Sequence, residues 1–233
     1  MMRVITAVRF ASALGALLAL MTSGAGATTL TITNSDFDSP STTSFQNTIS
    51  NWSSSSNSFT GVYNLSAFGD SSGAPGGNTQ AAFVNPGVDI STVGGSMQAL
   101  SGDNLAAGTY TLTVYIDQRG GTAELSATIE LLAGSNIVGT LTQSPVGLDS
   151  WSLVTLTETV TSATAGFGDA LGIQLAVGSS SDGGAVDFDN VNLNFTPLAT
   201  PLPGALPLFA TGLGAMGLSG WRRKRKAAAL AAA

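Results

Sequence analysis

The chain has no cysteine and no histidine, and only 9% of its 233 residues are charged. Without thiols it forms no disulfides. Without imidazole it has no Ser-His or Cys-His nucleophile system and no His-ligated transition metal. Cations are scarcer still along the middle of the chain. Of eight basic residues, Arg3 and Arg9 lie near the start and five form the cluster Arg222, Arg223, Lys224, Arg225 and Lys226. Arg119 is therefore the one basic residue against all fourteen acidic residues of 28–199, a net charge of −13 there. Such a surface excludes nucleic acid and anionic lipid as partners, because binding either requires Lys and Arg to neutralise phosphate. It suits solubility and divalent cations. Paired carboxylates remain as a route to glycoside hydrolysis, but nothing in their spacing marks an acid and base of different pKa. The residues predict a non-catalytic protein.

Long apolar runs occur only at the two ends. Arg3 and Arg9, the run from Phe10 to Met21 and the small residues Ala25 and Ala27 have the order of a secretory signal peptide over 1–27, with cleavage before Thr28. An uncleaved signal anchor is the alternative, although the run is shorter than the ~20 residues of a span. Near the other end, the uncharged stretch from Leu202 to Trp221 is long enough at ~1.5 Å per residue to cross a ~30 Å hydrocarbon core as a transmembrane helix. The basic cluster 222–226 would stay in the cytoplasm and leave everything before Pro201 on the far side, with 227–233 as a short tail.

Thr200-Pro-Leu-Pro203, the span and the basic cluster, in that order, resemble the PEP-CTERM sorting signal of exopolysaccharide-producing Gram-negative bacteria. Leu202 stands where the usual Val-Pro-Glu-Pro motif has Glu. The resemblance covers about residues 198–226. It implies recognition of Pro201, Leu202 and Pro203 by an exosortase-like membrane protease. It further implies passage from the outer face of the inner membrane to the cell surface or extracellular matrix, and exopolysaccharide as a partner. A plain C-terminal membrane anchor is the alternative.

Between the ends, apolar residues recur with period two, the mark of strands with one buried face. Tyr110, Leu112, Val114 and Ile116 share one parity, and Leu125, Ala127, Ile129 and Leu131 repeat it after Gly120-Gly121. The two runs read as an antiparallel pair joined by a glycine turn. Ala133-Gly-Ser-Asn136 supplies the next turn. Further strands are expected at 137–141, 151–160, 171–177 and 186–195, and earlier ones at 30–33, 59–63, 81–84 and 96–100. No sustained helical period appears, so 28–199 reads as one all-β antiparallel β-sandwich. Val186 and Phe188 have one parity whereas Val191, Leu193 and Phe195 have the other. A β-bulge near Asp189-Asn190 would reconcile them.

Asn34-Ser-Asp-Phe-Asp38, Gly108-Thr-Tyr-Thr-Leu112 and Val186-Asp-Phe-Asp-Asn-Val-Asn-Leu193 resemble the galactose-binding-like jelly rolls of many carbohydrate-binding modules. The resemblance implies that first and last strands lie close and that carboxylates from both segments hold a structural calcium ion. Asp36 with Asp38, and Asp187 with Asp189, are spaced i,i+2, about 6.6 Å apart on one face of a strand, where like charges repel unless a cation intervenes. Asp38 and Asp189 are the candidate Ca2+ ligands; solvated turn carboxylates are the alternative. Trp52, Tyr63, Tyr115 and Trp151 are the candidate sugar platforms, and Tyr115 leads because its parity opposes the buried set. Trp52 and Trp151 are expected in the core. The sequence thus predicts an exported, non-catalytic surface or matrix protein that binds exopolysaccharide, or an adhesive surface protein that binds no glycan.

Overall fold

The computed structural model describes residues 26–54, 60–68, 75–86, 89–91, 103–121, 124–145, 147–178, 184–198, 209, 211–217 and 221. The chain divides into two compact units, Met1–Leu198 and Ala199–Ala233. The first is an antiparallel sandwich. One sheet runs β10 (Ser152–Val160), β7 (Gly108–Arg119), β12 (Ala185–Pro197), β5 (Gln80–Val84), β4 (Thr60–Asn64) and β2 (Phe45–Gln46), with β1 (Thr28–Leu30) also paired to β12. The other runs β3 (Ser53–Ser54), β6 (Asp89–Ser91), β11 (Leu171–Val177), β8 (Ala127–Ala133) and β9 (Asn136–Gln143).

Period-two patterning builds the core. Tyr110, Leu112, Val114 and Ile116 from the first sheet meet Ile129, Leu131, Ile173 and Leu175 from the second. Trp52 joins them, its ring 5.1 Å from that of Phe37 and its Nε1 donating to the Asn34 carbonyl at 3.2 Å. The first and last strands pair, Thr28 opposite Phe195 and Leu30 opposite Leu193. The expected bulge is also there. The β12–β7 register shifts between Asp189 and Asn192, and Asn190 takes the left-handed conformation (φ 48°) that absorbs the extra residue.

Three details differ from the sequence reading. The runs starting at Tyr110 and Leu125 are not a hairpin: β7 pairs with β10 and β12, whereas β8 belongs to the opposite sheet. Two strands with matching buried faces can lie side by side or face each other across a core, and alternation alone does not separate these cases. The short strands β2, β3 and β6 carry too few residues to show a period. Trp151 packs not in the sandwich core but against a second apolar cluster of Tyr63, Leu65, Ala81, Phe83 and Ala185. The strand expected at 96–100 lies outside the described residues.

In the second unit the described residues 209, 211–217 and 221 are helical. Among the described residues no helix is long and apolar enough to cross a membrane. Most of the expected span 202–221, the motif Pro201, Leu202 and Pro203, the cluster 222–226 and Ala25 lie outside them; Ala27 is described and exposed.

Candidate active site

Strict alternation fails at one end of the larger sheet. Residues 185–189 of β12, all five residues of β5 and the first four of β4 are buried on both faces, as are Ile116, Asp117 and Gln118 of β7. The inner side chains belong to the core. The outer ones form a separate layer from strands adjacent in the sheet but distant in sequence. Asp117 lies opposite Asp187, Asp187 opposite Phe83, and Phe83 opposite Gly61. Gly61 is required there, since a Cβ would collide with the Phe83 ring and the Gln46 carbonyl. Tyr63 stands edge-on to Phe83 and Phe68, with centroids 6.3 and 5.7 Å away. Phe68 and Phe45 carry this aromatic layer to the surface.

Asp187 is its polar centre. The residue is fully buried, and its Oδ2 accepts from the Tyr63 hydroxyl at 2.7 Å and from Arg119 Nε at 3.2 Å. Oδ1 is buried with no hydrogen-bond partner among the described residues. Burial raises the Asp187 pKa from 3.8 to about 7; Arg119 and the Tyr63 hydroxyl oppose the rise and the neighbouring Asp117 adds to it. Asp117 is also fully buried, and its Oδ1 accepts from the amides of Gln118 and Ser150, each at 2.7 Å. Arg119, the lone cation of 28–199, stretches over the aromatic layer. Its Cζ is 4.3 Å from the Tyr63 centroid, 5.3 Å from Phe68 and 5.6 Å from Phe83. A carboxyl that keeps its proton up to about pH 7 in a water-poor aromatic setting has the chemistry of a proton donor.

A second acidic site lies two residues along β12. Asp189 is fully buried at the bulge; its Oδ1 accepts from the Asn190 amide at 2.7 Å, and both its oxygens accept from Asn78 Nδ2 at 3.4 and 3.3 Å. The loop carrying Asp36 and Asp38 is tied to the bulge where Val191 N donates to the Ser35 carbonyl at 2.9 Å. Burial raises Asp189 to about 7, against the donors Asn190 and Asn78, and Asp38 and Asp36 add to the rise. Burial also raises Asp38, helped by Asp36. Among the described residues no group of three or more His, Cys, Asp or Glu forms a metal cluster. Tyr115 is half-buried on the outer face, opposite Leu153 and Asp189.

The HpiC1-like family, described as HpiC1 cyclase, matches residues 28–194. The chain belongs to the HpiC1-like cyclase family. Solved structures agree on the fold. A cyclase from Fischerella sp. in apo form shares 23% identity over 76% of this chain and 100% of its own, with a TM-score of 0.58. The Stig cyclase Fisc from Fischerella sp. TAU, bound to (3Z)-3-(1-methyl-2-pyrrolidinylidene)-3H-indole, shares 23% over 75% of this chain and 100% of its own, TM-score 0.58. A cyclase from Fischerella sp. TAU bound to 4-(1H-indol-3-yl)butan-2-one shares 23% over 74% and 100%, TM-score 0.56. None of the curated proteins matches the chain.

The family match overturns the expectation of a non-catalytic surface protein. Absence of His and Cys excludes Ser-His and Cys-His nucleophile systems and imidazole-metal chemistry, but not acid catalysis by a buried carboxyl. The expected exosortase-like and exopolysaccharide partners fall with it, since a cyclase acts on small molecules. Of the expected membrane contact the structure says only that no described helix is long and apolar enough to span, most of 202–221 lying outside the described residues. The reading of the chain as a PEP-CTERM substrate gains no support, the family match ending at 194. Sequence reasoning had singled out Asp187 for its spacing from Asp189, Tyr63 as a sugar platform and Arg119 as the lone cation. It did not join them, because they meet only through pairing of β4, β7 and β12.

Proposed function

We propose that the chain is an exported cyclase that closes a ring in a small aromatic substrate, with Asp187 as proton donor. The carrying observation is the Asp187 carboxyl, fully buried, with Oδ2 engaged by Tyr63 and Arg119 and Oδ1 left over. Ring closure of an unsaturated substrate is an isomerisation. Oδ1–H gives its proton to an unsaturated carbon, a neighbouring π bond supplies the electron pair that closes the ring onto the resulting cation, and loss of a proton to the carboxylate restores the acid. The Phe83, Phe68 and Tyr63 rings keep water from trapping the cation. The indole-based molecules held by the Fischerella cyclases support an indole carrying an unsaturated side chain as substrate.

The N-terminal pattern supports 1–27 as an export signal and 28–199 as the mature domain, and the family match begins at residue 28. Asp38 and Asp189 fit a calcium ion by donor chemistry, since two carboxylates that repel one another, Asp189 buried and Asp38 exposed, offer hard oxygens. Bound there, calcium would clamp the 34–38 loop to β12.

The test is turnover of an indole with an alkene-bearing side chain, monitored for a product of unchanged mass and new retention time. D187N should fold normally and lose about a hundredfold or more of the rate. Full turnover by a folded D187N would sink the assignment.

A further inference from the structure

Arg119 is the one cation of 28–199, and it reaches a buried acid beneath three aromatic rings. Its Nε donates to Asp187 Oδ2 at 3.2 Å, its Cζ stacks 4.3 Å from the Tyr63 centroid, and its side chain is 27% exposed. Aromatic faces closing on a carboxylate make a receptor for a planar organic cation, because ring quadrupoles and the carboxylate both attract positive charge and exclude water. Here the guanidinium fills that receptor. We propose that Arg119 is a built-in occupant of this box, which positions Asp187 so that Oδ1 faces the substrate and which bars cationic ligands, so that the site selects neutral aromatic molecules.

The geometry separates the two effects. Tyr63 and Arg119 converge on the same oxygen, so they fix the rotation of the carboxyl about its Cβ–Cγ bond and turn Oδ1 away from themselves. Loss of Arg119 frees that rotation, which slows the chemical step more than it weakens binding of a neutral substrate. The same loss empties the planar slot over Tyr63, Phe68 and Phe83. Lysine cannot replace it. An ammonium is a compact, strongly hydrated charge with neither the flat face that stacks on Tyr63 nor a fork of donors.

The inference rests on the cyclase reading, and the experiment keeps their failures apart. R119A is titrated with methylguanidinium by calorimetry and assayed for turnover of the neutral indole substrate. R119A should lose about tenfold or more in kcat with a smaller change in KM. It should bind methylguanidinium at least about tenfold more tightly than wild type, and regain turnover as that cation saturates. R119K should not recover the wild-type rate. A folded R119A that neither binds methylguanidinium nor is rescued by it overturns the proposal, as does an R119K with wild-type kcat. If R119A does not fold, R119M carries the test through the ratio of tryptamine to 3-ethylindole affinity. That ratio should rise about tenfold over wild type, and an unchanged ratio overturns the proposal. If D187N turns over normally while R119A still captures methylguanidinium, the acid assignment is wrong and the box is real.

Discussion

Asp187 and Asp189 stand two residues apart on the outer side of β12, both fully buried and both raised to about 7. Their companions differ. Asp187 has an internal cation, a phenol and aromatic rings, whereas Asp189 has two amide donors and two more carboxylates, Asp38 and Asp36. A buried acid can be stabilised by protonation, by a partner within the chain or by an ion from solution. The first site uses a resident partner and leaves one oxygen without a hydrogen bond among the described residues; the second gathers like charges, and an imported cation would relieve them. Burial and a raised pKa alone do not distinguish a proton donor from a metal ligand. The neighbours do.

The largest expected contrast is in turnover. D187N should lose about 10²-fold or more of the activity, whereas D189N should keep most of it in calcium-free buffer; equal losses would dissolve the distinction. Next comes stability against pH. Each folded-state pKa is raised from 3.8 to about 7, so the folded chain binds these protons more tightly than the unfolded one. Their stabilising effect is full below pH 4 and is lost as pH rises through 7. D187N should flatten this decline by up to about 4 kcal/mol, measured by urea melts from pH 4 to pH 8. A steeper decline in D187N would contradict the shift.

Calcium separates the pair again. Chelation by EDTA should lower Tm by roughly 5–10 °C for an ion present at about a hundred times its Kd. D38N and D189N should abolish that response and D187N should keep it. Since calcium favours the ionised carboxylates, the EDTA effect should be larger at pH 8 than at pH 5; no EDTA effect at either pH would remove the ion. The smallest expected effect belongs to Y63F. The Tyr63 hydroxyl lowers the Asp187 pKa, so its removal should move the alkaline limb of the pH–rate profile upward by about one unit. A downward move would show that the phenol favours the protonated acid.

Much of the sandwich was legible because alternation reports a half-buried strand directly: the β11 bounds agree, and the parity break in β12 predicted its bulge. The pairing of β7 was not legible, since side-by-side and face-to-face strands share one pattern. Nor was the active site. Tyr63 and Asp187 are separated by 124 positions, and Arg119 and Asp187 by 68, so no local spacing joins them. One signal was available. Ala185-Val-Asp-Phe-Asp189 places carboxylates on the face of a strand that is otherwise apolar, which a solvated strand would not require. Reading those aspartates by their repulsion favoured a cation site and concealed the chance that one of them serves as an acid.

The strand at the centre of the larger sheet, β12, is also the last strand along the chain among the described residues. It joins β7 to β5 and accepts β1 along its outer run. A chain growing from its N-terminus therefore holds two unfinished half-sheets until residue 197 is available, and such long-range closure is slow. Closure of the larger sheet must wait for residue 197, and until then its two halves present unpaired strand edges to whatever surrounds the growing chain.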